Sequence, residues 1–145
     1  MPSLQHQLRI IENRLRTKYV KDAMKKEVSE MSRDLVVEYL VDDVYDAYQS
    51  QYDRKYDQGG LADEDNILTT MVNDVTLKIE DIRRDEKTGR LVAPIVEYGK
   101  GYWSEELDDA IGERPFIENT AKKLRNGKAR NALLRGLKRQ GVNCK

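Results

Sequence analysis

Residues 3–58 contain neither proline nor glycine, and no other feature of the sequence constrains the fold as strongly. Apolar side chains recur at helical spacing along this run, in a first stripe of Leu4, Leu8, Ile11 and Leu15 and a second of Val20, Met24, Val28, Met31 and Leu35. The step from Leu15 to Val20 breaks the spacing of three and four, which predicts a bend or a second helix near residues 17–19. A helix of this length exceeds what a small domain can cover, so we expect it to pack on a neighbour.

Tyrosines mark the end of this run. Tyr45, Tyr48, Tyr52 and Tyr56 follow one helical face, and Gly59-Gly60 then ends the helical region because glycine readily adopts the left-handed cap conformation. Two interpretations are compatible. The tyrosines pack on a sheet with their hydroxyl groups at its rim, or they form a subunit interface, where tyrosine is enriched.

The middle of the chain predicts a small antiparallel sheet built on a hairpin. Residues 75–82 alternate apolar and polar side chains, as a half-buried strand does, and residues 85–89 supply turn chemistry. We predict residues 91–98 as the returning strand, with Pro94 at an edge or bulge because it cannot donate a ladder hydrogen bond. Residues 63–66 predict a loop or short helical turn, and residues 67–72 fit a helix or a strand.

The C-terminal part predicts a basic helix. Pro115 suits the first turn of this helix, and Asn126-Gly127 predicts an interruption. Phe116, the one phenylalanine, should anchor the helix between the sheet and the long helix. We therefore predict an α+β fold in a single domain of residues 1–145, in which residues 1–18 form a possible separate N-terminal helix or arm and residues 140–145 a flexible tail.

The net charge is zero, yet the charges are unevenly distributed. From Arg114 to Lys145 there are ten lysines and arginines against one acid, Glu118, so acid is in excess before residue 114. A basic helix of this kind binds nucleic acid or docks on the acidic part of its own or a neighbouring subunit, and the second interpretation is favoured.

Cys144 is the sole cysteine, so no internal disulfide forms. We expect synthesis in a reducing cytoplasm, with no signal peptide and no membrane span.

No pattern in the sequence predicts an active site. His6 is the sole histidine, which leaves no partner for a histidine-based nucleophile or zinc site. The carboxylates of Asp42-Asp43-Asp46 and Asp63-Glu64-Asp65 could in principle hold a divalent cation, but solvated charge explains them better. Gly99-Lys100-Gly101 lacks the ending of a phosphate-binding loop. We predict a protein that is not an enzyme and has no cofactor or metal.

Several motifs in order resemble a known family over residues 40–140. They are Val44–Tyr48, Tyr52–Tyr56, Asp57–Asp63 and Asn66, then Ala93–Gly99, and finally Arg114–Ile117. Together they resemble phage tail-completion, or head–tail joining (neck), proteins similar to the lambda minor tail protein Z, with an aliphatic strand, an aromatic-glycine pair, a loop, Arg-Pro-Phe and a helix. The sequence departs from the family in having Gly59-Gly60-Leu61-Ala62 in place of a Thr-Gly-x-Leu motif, and a long acidic loop between Gly99 and Arg114.

The resemblance implies a structural virion protein at the head–tail junction, made in the bacterial cytoplasm. It implies a homo-oligomeric ring, expected to be a hexamer, that completes the tail and contacts the head connector or stopper and the tail tube. DNA would pass through the lumen without specific binding. The interface candidates are Tyr45, Tyr48, Tyr52, Tyr56, Tyr98, Trp103, Arg114, Phe116, Arg125, Arg130 and Arg135. The alternative is a nucleic-acid-binding accessory protein that uses the helix from Arg125 to Arg139.

Overall fold

The computed structural model describes residues 1–45, 60–101 and 112–144 of the chain. Residues 4–45 form one continuous helical run, α1, which begins at Ser3, whose hydroxyl accepts a hydrogen bond from the His6 amide at 3.2 Å. Its α-helical segments are Leu4–Arg14, Lys21–Ala23 and Ser29–Tyr39, and they alternate with wider π-helical turns at Leu15–Val20, Met24–Val28 and Leu40–Tyr45.

The first π-helical turn lies where the apolar stripe shifts. In a π-helical turn each amide bonds the carbonyl five residues back, so the turn takes up more residues than an α-helical turn. The five-residue step from Leu15 to Val20 falls within this wider turn. The predicted break is therefore an adjustment inside one helix, and the alternative of two separate helices is wrong.

The sheet is a two-stranded antiparallel hairpin. Strand β1 (Ile67–Asn73) pairs with β2 (Thr76–Asp81), in a register that places Ile67 opposite Asp81 and Met71 opposite Leu77. A short 3₁₀ turn at Glu64–Asn66 leads into β1 and begins at Asp63, whose carboxylate accepts from the Asp65 amide at 3.0 Å. The strand predicted at residues 75–82 and the turn predicted at residues 63–66 are confirmed, and residues 67–72 are strand.

The predicted returning strand at residues 91–98 is wrong, because this segment is a helix, α2 (Val92–Tyr98). Pro94 is its third residue, in the first turn, where backbone N–H groups have no acceptor within the helix. Proline therefore costs no hydrogen bond there, and its predicted place at a sheet edge is also wrong. The turn before α2 is confirmed, since the Asp85 carboxylate accepts from the Thr88 amide at 3.0 Å and from its hydroxyl at 2.7 Å.

The C-terminal region is a broken helix that packs on α1. Helix α3 (Phe116–Lys123) continues through a wide turn at Leu124–Lys128 into α4 (Ala129–Arg139). Asn126 and Gly127 leave helical geometry inside this turn, which confirms the predicted interruption. Pro115 precedes the first helical residue by one position.

The hydrophobic core lies where the end of α1 meets the hairpin, α2 and α3. Phe116, Leu40 and Ile67 are its largest fully buried side chains. The buried cluster consists of Val36, Leu40, Leu61, Ala62, Ile67, Ala93, Val96 and Phe116. The α+β fold class is confirmed, with a long N-terminal helix, a small antiparallel hairpin and a C-terminal helix.

Candidate interaction surfaces

The segment around Arg-Pro-Phe is held by a carboxylate from α2. Glu97 is buried, and its two carboxylate oxygens accept from the amides of Ile117 at 2.8 Å and Glu118 at 3.0 Å. These amides belong to the first turn of α3, which is short of acceptors and carries the positive end of the helix dipole. Glu97 therefore caps a helix that begins about twenty residues later in the chain.

The same corner contains a close backbone crossing. The Arg114 amide donates to the Val96 carbonyl at 2.9 Å. Gly99 ends α2 in the left-handed conformation, and a Cβ atom there would lie 2.3 Å from the carbonyl carbon of Gly112. Only glycine fits this crossing. The motifs at residues 93–99 and 114–117 thus form one structural unit, which we name the α2–α3 corner.

A mainly apolar cavity of about 350 Å³ opens between β2, α2 and α3. Asp81 lies at its wall, and one of its carboxylate oxygens accepts from the Arg83 amide at 3.1 Å. The other oxygen is buried and has no hydrogen-bond partner in the described part of the chain. Burial disfavours the charged carboxylate and raises the pKa of Asp81 to about 7, against the smaller opposing effects of the Arg83 amide and charge.

Small residues bring α4 close to α1. Ala23 and Ala132 have no exposed surface, and a Cβ atom on Gly136 would lie 2.5 Å from the Ala23 Cβ. The Gln140 side-chain amide adds a hydrogen bond of 2.8 Å to the Tyr19 carbonyl. The two helices therefore pack with their backbones in near contact.

Charged pairs border this contact. The Arg139 guanidinium bonds the carboxylates of Asp22 and Glu27, and this bond holds the pKa of the Glu27 carboxyl below its usual range. Farther along, a cleft separates Lys128 of the wide turn and Arg135 of α4 from α1. The acids on the α1 side of the cleft are Glu27, Glu30, Asp34 and Glu38. The basic helix thus docks on an acidic part of its own chain, which is the interpretation that the sequence favoured.

In contrast, the start of α1 covers nothing in the described structure. Every residue before Tyr19 is exposed, including the whole first apolar stripe. The exposed fractions are 72% for Leu4, 55% for Leu8, 55% for Ile11 and 39% for Leu15. We name residues 4–18 the arm. An amphipathic helix with an uncovered apolar stripe is typical of a segment that binds another surface.

The outer face of the hairpin is a second exposed surface, on which apolar side chains lie beside the ion pair of Lys78 and Glu80. Leu68 and Val72 point away from α1 on β1, and Ile82 follows β2 on the same side. The inner face meets α1 through Thr69, whose hydroxyl accepts from the Ser29 hydroxyl at 2.8 Å. The hairpin therefore has one face on the core and one face that the described residues leave exposed.

The predicted interface residues fall into three groups. Phe116 is fully buried in the core, as expected for an anchor, and does not reach a surface. Tyr98, Arg125, Arg130 and Arg135 are exposed, whereas Arg114 is half-buried with its Nε atom lacking an acceptor among the described residues. The side chain of Tyr45 and the residues Tyr48, Tyr52, Tyr56 and Trp103 lie outside what the structure describes.

The sequence did not identify three of the residues that organise these surfaces. From the sequence alone, Glu97 and Asp81 are typical of surface acids near the end of an apolar-rich segment. Gly136 is typical of a residue that destabilises a helix. A glycine inside an otherwise good helix is a signal of close packing, and Gly136 could have been found that way. Within the described residues, no three His, Cys, Asp or Glu side chains converge as metal ligands.

Comparisons with known proteins give a family. The family described as YomN matches residues 3–139 of the chain. The chain is also similar to the SPbeta prophage-derived uncharacterized protein YomN of Bacillus subtilis (strain 168), with 35% identity over 107 residues that cover 72% of each protein. This relative indicates a phage origin. No solved structure matches the chain. Among the described helices, none has the length and apolar character needed to cross a bilayer.

Proposed function

Because this chain belongs to the YomN family, whose relative in Bacillus subtilis is prophage-derived, we propose that it is a structural virion protein of a tailed bacteriophage. Its proposed place is the neck, as a tail-completion or tail-terminator component that joins the tail to the head connector or stopper. The proposal assigns it no catalytic step, cofactor or metal. Its partners would be further copies of itself, the connector and the tail-tube protein.

The observation that carries the proposal is the exposed arm. A chain that leaves a full apolar stripe uncovered needs a partner surface, and its first available partner in an assembling virion is another copy. The resemblance to tail-completion proteins is a separate support, because its two C-terminal motifs meet in the α2–α3 corner through Glu97 and Arg114. The structure differs from the resemblance in one element, since the segment expected as its strand is helix α2.

Joining would be geometric. Identical subunits in head-to-tail contact close into a ring when the rotation between neighbours divides a full turn, and six copies are the expected number. The exposed faces of the hairpin and the arm would supply contacts between subunits. DNA would pass through the lumen without specific binding.

A phage that lacks the protein provides the test. We expect separate filled heads and complete tails in the electron microscope, and infectious particles after purified protein is added to the lysate. Arg114→Ala protein should remain folded, because Arg114 holds the corner through its backbone amide, and yet should fail to join heads and tails. Lys123→Ala, which removes an exposed cation on α3, is the matched control and should restore joining. Normal particles made without the protein would refute the neck role.

A nucleic-acid-binding accessory protein is the second candidate, and the ten cations after residue 113 favour it. Two of those cations already form ion pairs among the described residues. Arg139 pairs with Asp22 and Glu27, and Lys122 pairs with Glu118 at 3.0 Å. Tight duplex binding would require these pairs to open, so this candidate ranks second.

A further inference from the structure

The arm carries charge as well as an apolar stripe. Arg9, Arg14, Arg16 and Lys18 surround the stripe, against the single acid Glu12. The surface that it binds should therefore combine an apolar strip with negative charge.

One surface of this kind lies farther along α1. Asp34, Glu38 and Asp42 follow one another at four-residue intervals, so their carboxylates form a row on one helical face. Val37 and Val41 run beside the row, and Glu64 borders it from the turn before β1. Together these residues line a shallow groove of about 360 Å³, which we name the acidic groove. Asp34, Glu38, Asp42 and Glu64 form no ion pair with the other described residues.

The arm of a chain cannot reach the groove of the same chain. Both lie on the continuous helix α1, and the 27 positions from Ile11 to Glu38 correspond to roughly 40 Å of rigid helix. A helix does not fold back on itself without a break. An arm that occupies the groove must therefore belong to a second molecule.

We propose that the arm of one copy docks in the acidic groove of the next copy. The inference rests on the proposed self-association and names the surfaces that would produce it. Because the two surfaces differ, the contact is heterologous, and each copy offers a free arm at one side and a free groove at the other. This is the kind of contact that a closed ring requires, whereas pairing of two arms would stop at a dimer.

Charge reversal in the full-length protein tests the contact by size-exclusion chromatography with light scattering at low salt. The arm variant is Arg9→Glu with Arg16→Glu, and the groove variant is Asp42→Lys with Glu64→Lys, which spares the acids that face α4. Each variant alone should associate at least tenfold more weakly than the wild type. An equimolar mixture should form a heterodimer, because the groove variant keeps a native arm and the arm variant a native groove.

A chain that carries all four changes should associate weakly, like the single variants. Two new lysines only balance Asp34 and Glu38 in its groove, and Arg14 and Lys18 offset most of the acid in its arm. Lys123→Glu with Lys138→Glu is the control of equal charge change on exposed positions, and it should associate as the wild type does. The absence of the heterodimer in the equimolar mixture would overturn the inference. An arm variant that associates normally would also overturn it, but would leave the neck proposal standing. Loss of self-association in the arm variant but not in the groove variant would indicate that two arms pair with each other instead. Wild-type protein that stays monomeric at every concentration and salt would count against the ring itself.

Discussion

At the scale of single residues, the fold depends on a few side chains in unusual positions. Phe116 fills the space between α1 and the hairpin with no exposed surface. Asp81 sits half-buried against an apolar cavity with one oxygen unpaired among the described residues. The first stabilises the fold and the second opposes it, and both effects can be measured.

Phe116→Ala should destabilise the domain by about 3–5 kcal/mol, because it removes a large buried aromatic side chain and leaves a cavity that the rigid helices cannot close. Thermal melting by circular dichroism measures the loss. Tyr98→Ala is the matched control, since Tyr98 is 69% exposed and its removal should change stability by less than about 0.5 kcal/mol. Equal melting temperatures for the two variants would contradict the anchor role.

Asp81→Asn should stabilise the protein at pH 8 and have little effect at pH 4. The raised pKa, about 7 in the folded state, means that folding favours the protonated carboxyl. Below the ordinary Asp pKa, the Asp81 carboxyl is protonated in both the folded and the unfolded protein. As pH rises through about 7, the folded protein must carry a buried charge at Asp81. Solvent screens part of this penalty, so the gain from Asn at pH 8 should be about 1–2 kcal/mol.

Urea unfolding from pH 4 to pH 8 measures this difference. The control is Asp85→Asn, in which the sign should reverse. The hydrogen bonds that Thr88 donates hold the pKa of the Asp85 carboxyl below its usual range, so this group stabilises the fold above the Asp pKa and loses that contribution in acid. A benefit of Asp81→Asn that is the same at both ends of the pH range would argue against a buried carboxyl.

At the scale of elements, the sequence predicted local structure well wherever side-chain periodicity was the deciding factor. The alternation in residues 75–82 gave a strand, and Asn126-Gly127 gave the break between α3 and α4. Residues 91–98 were misassigned because Val92, Ile95 and Val96 satisfy both a buried strand and a short helix. In the structure, the Glu97 carboxylate bonds the first amides of α3. This contact joins residues far apart in the sequence, so the spacing of side chains gives no sign of it.

Gly136 supports a prediction about the helix pair α1–α4. In an exposed helix Ala is more stable than Gly by about 1 kcal/mol, but here the new Cβ would lie 2.5 Å from Ala23 Cβ and 2.9 Å from Ala23 Cα. Gly136→Ala should therefore destabilise the protein by roughly 1–3 kcal/mol. Adding Ala23→Gly should recover part of the loss in denaturant unfolding. A single variant that is more stable than the wild type would mean that the helices are not in close contact.

At the scale of the whole molecule, many charged side chains face charges of opposite sign, and they do not form one large region of a single sign. The basic C-terminal region lies along the acidic middle of α1, so opposite charges face each other along this contact. The arm, with its excess of cations, and the acidic groove lie outside these pairs. Their separation along α1 gives the subunit two unlike docking surfaces.

This arrangement predicts weak binding of duplex DNA that depends steeply on salt. Lys123, Arg125, Arg130 and Lys138 remain exposed on α3, the wide turn and α4. With about four phosphate contacts, affinity should fall on the order of 10²-fold between 50 and 200 mM salt. Fluorescence anisotropy with a labelled duplex measures the slope. Nanomolar, sequence-dependent binding that persists at 200 mM salt would favour the nucleic-acid candidate over the neck protein.

The contact between α4 and the base of the arm also bears on when a newly made chain becomes able to assemble. Gln140 bonds Tyr19, and Arg139 bonds Asp22 and Glu27, so each link joins residues more than one hundred positions apart. A chain still on the ribosome cannot form these links until residue 140 has emerged, and such distant contacts slow folding. Chains cut short by a premature stop would lack them and leave Ala23 uncovered. A subunit translated through α4 is therefore the first form in which the base of the arm is packed.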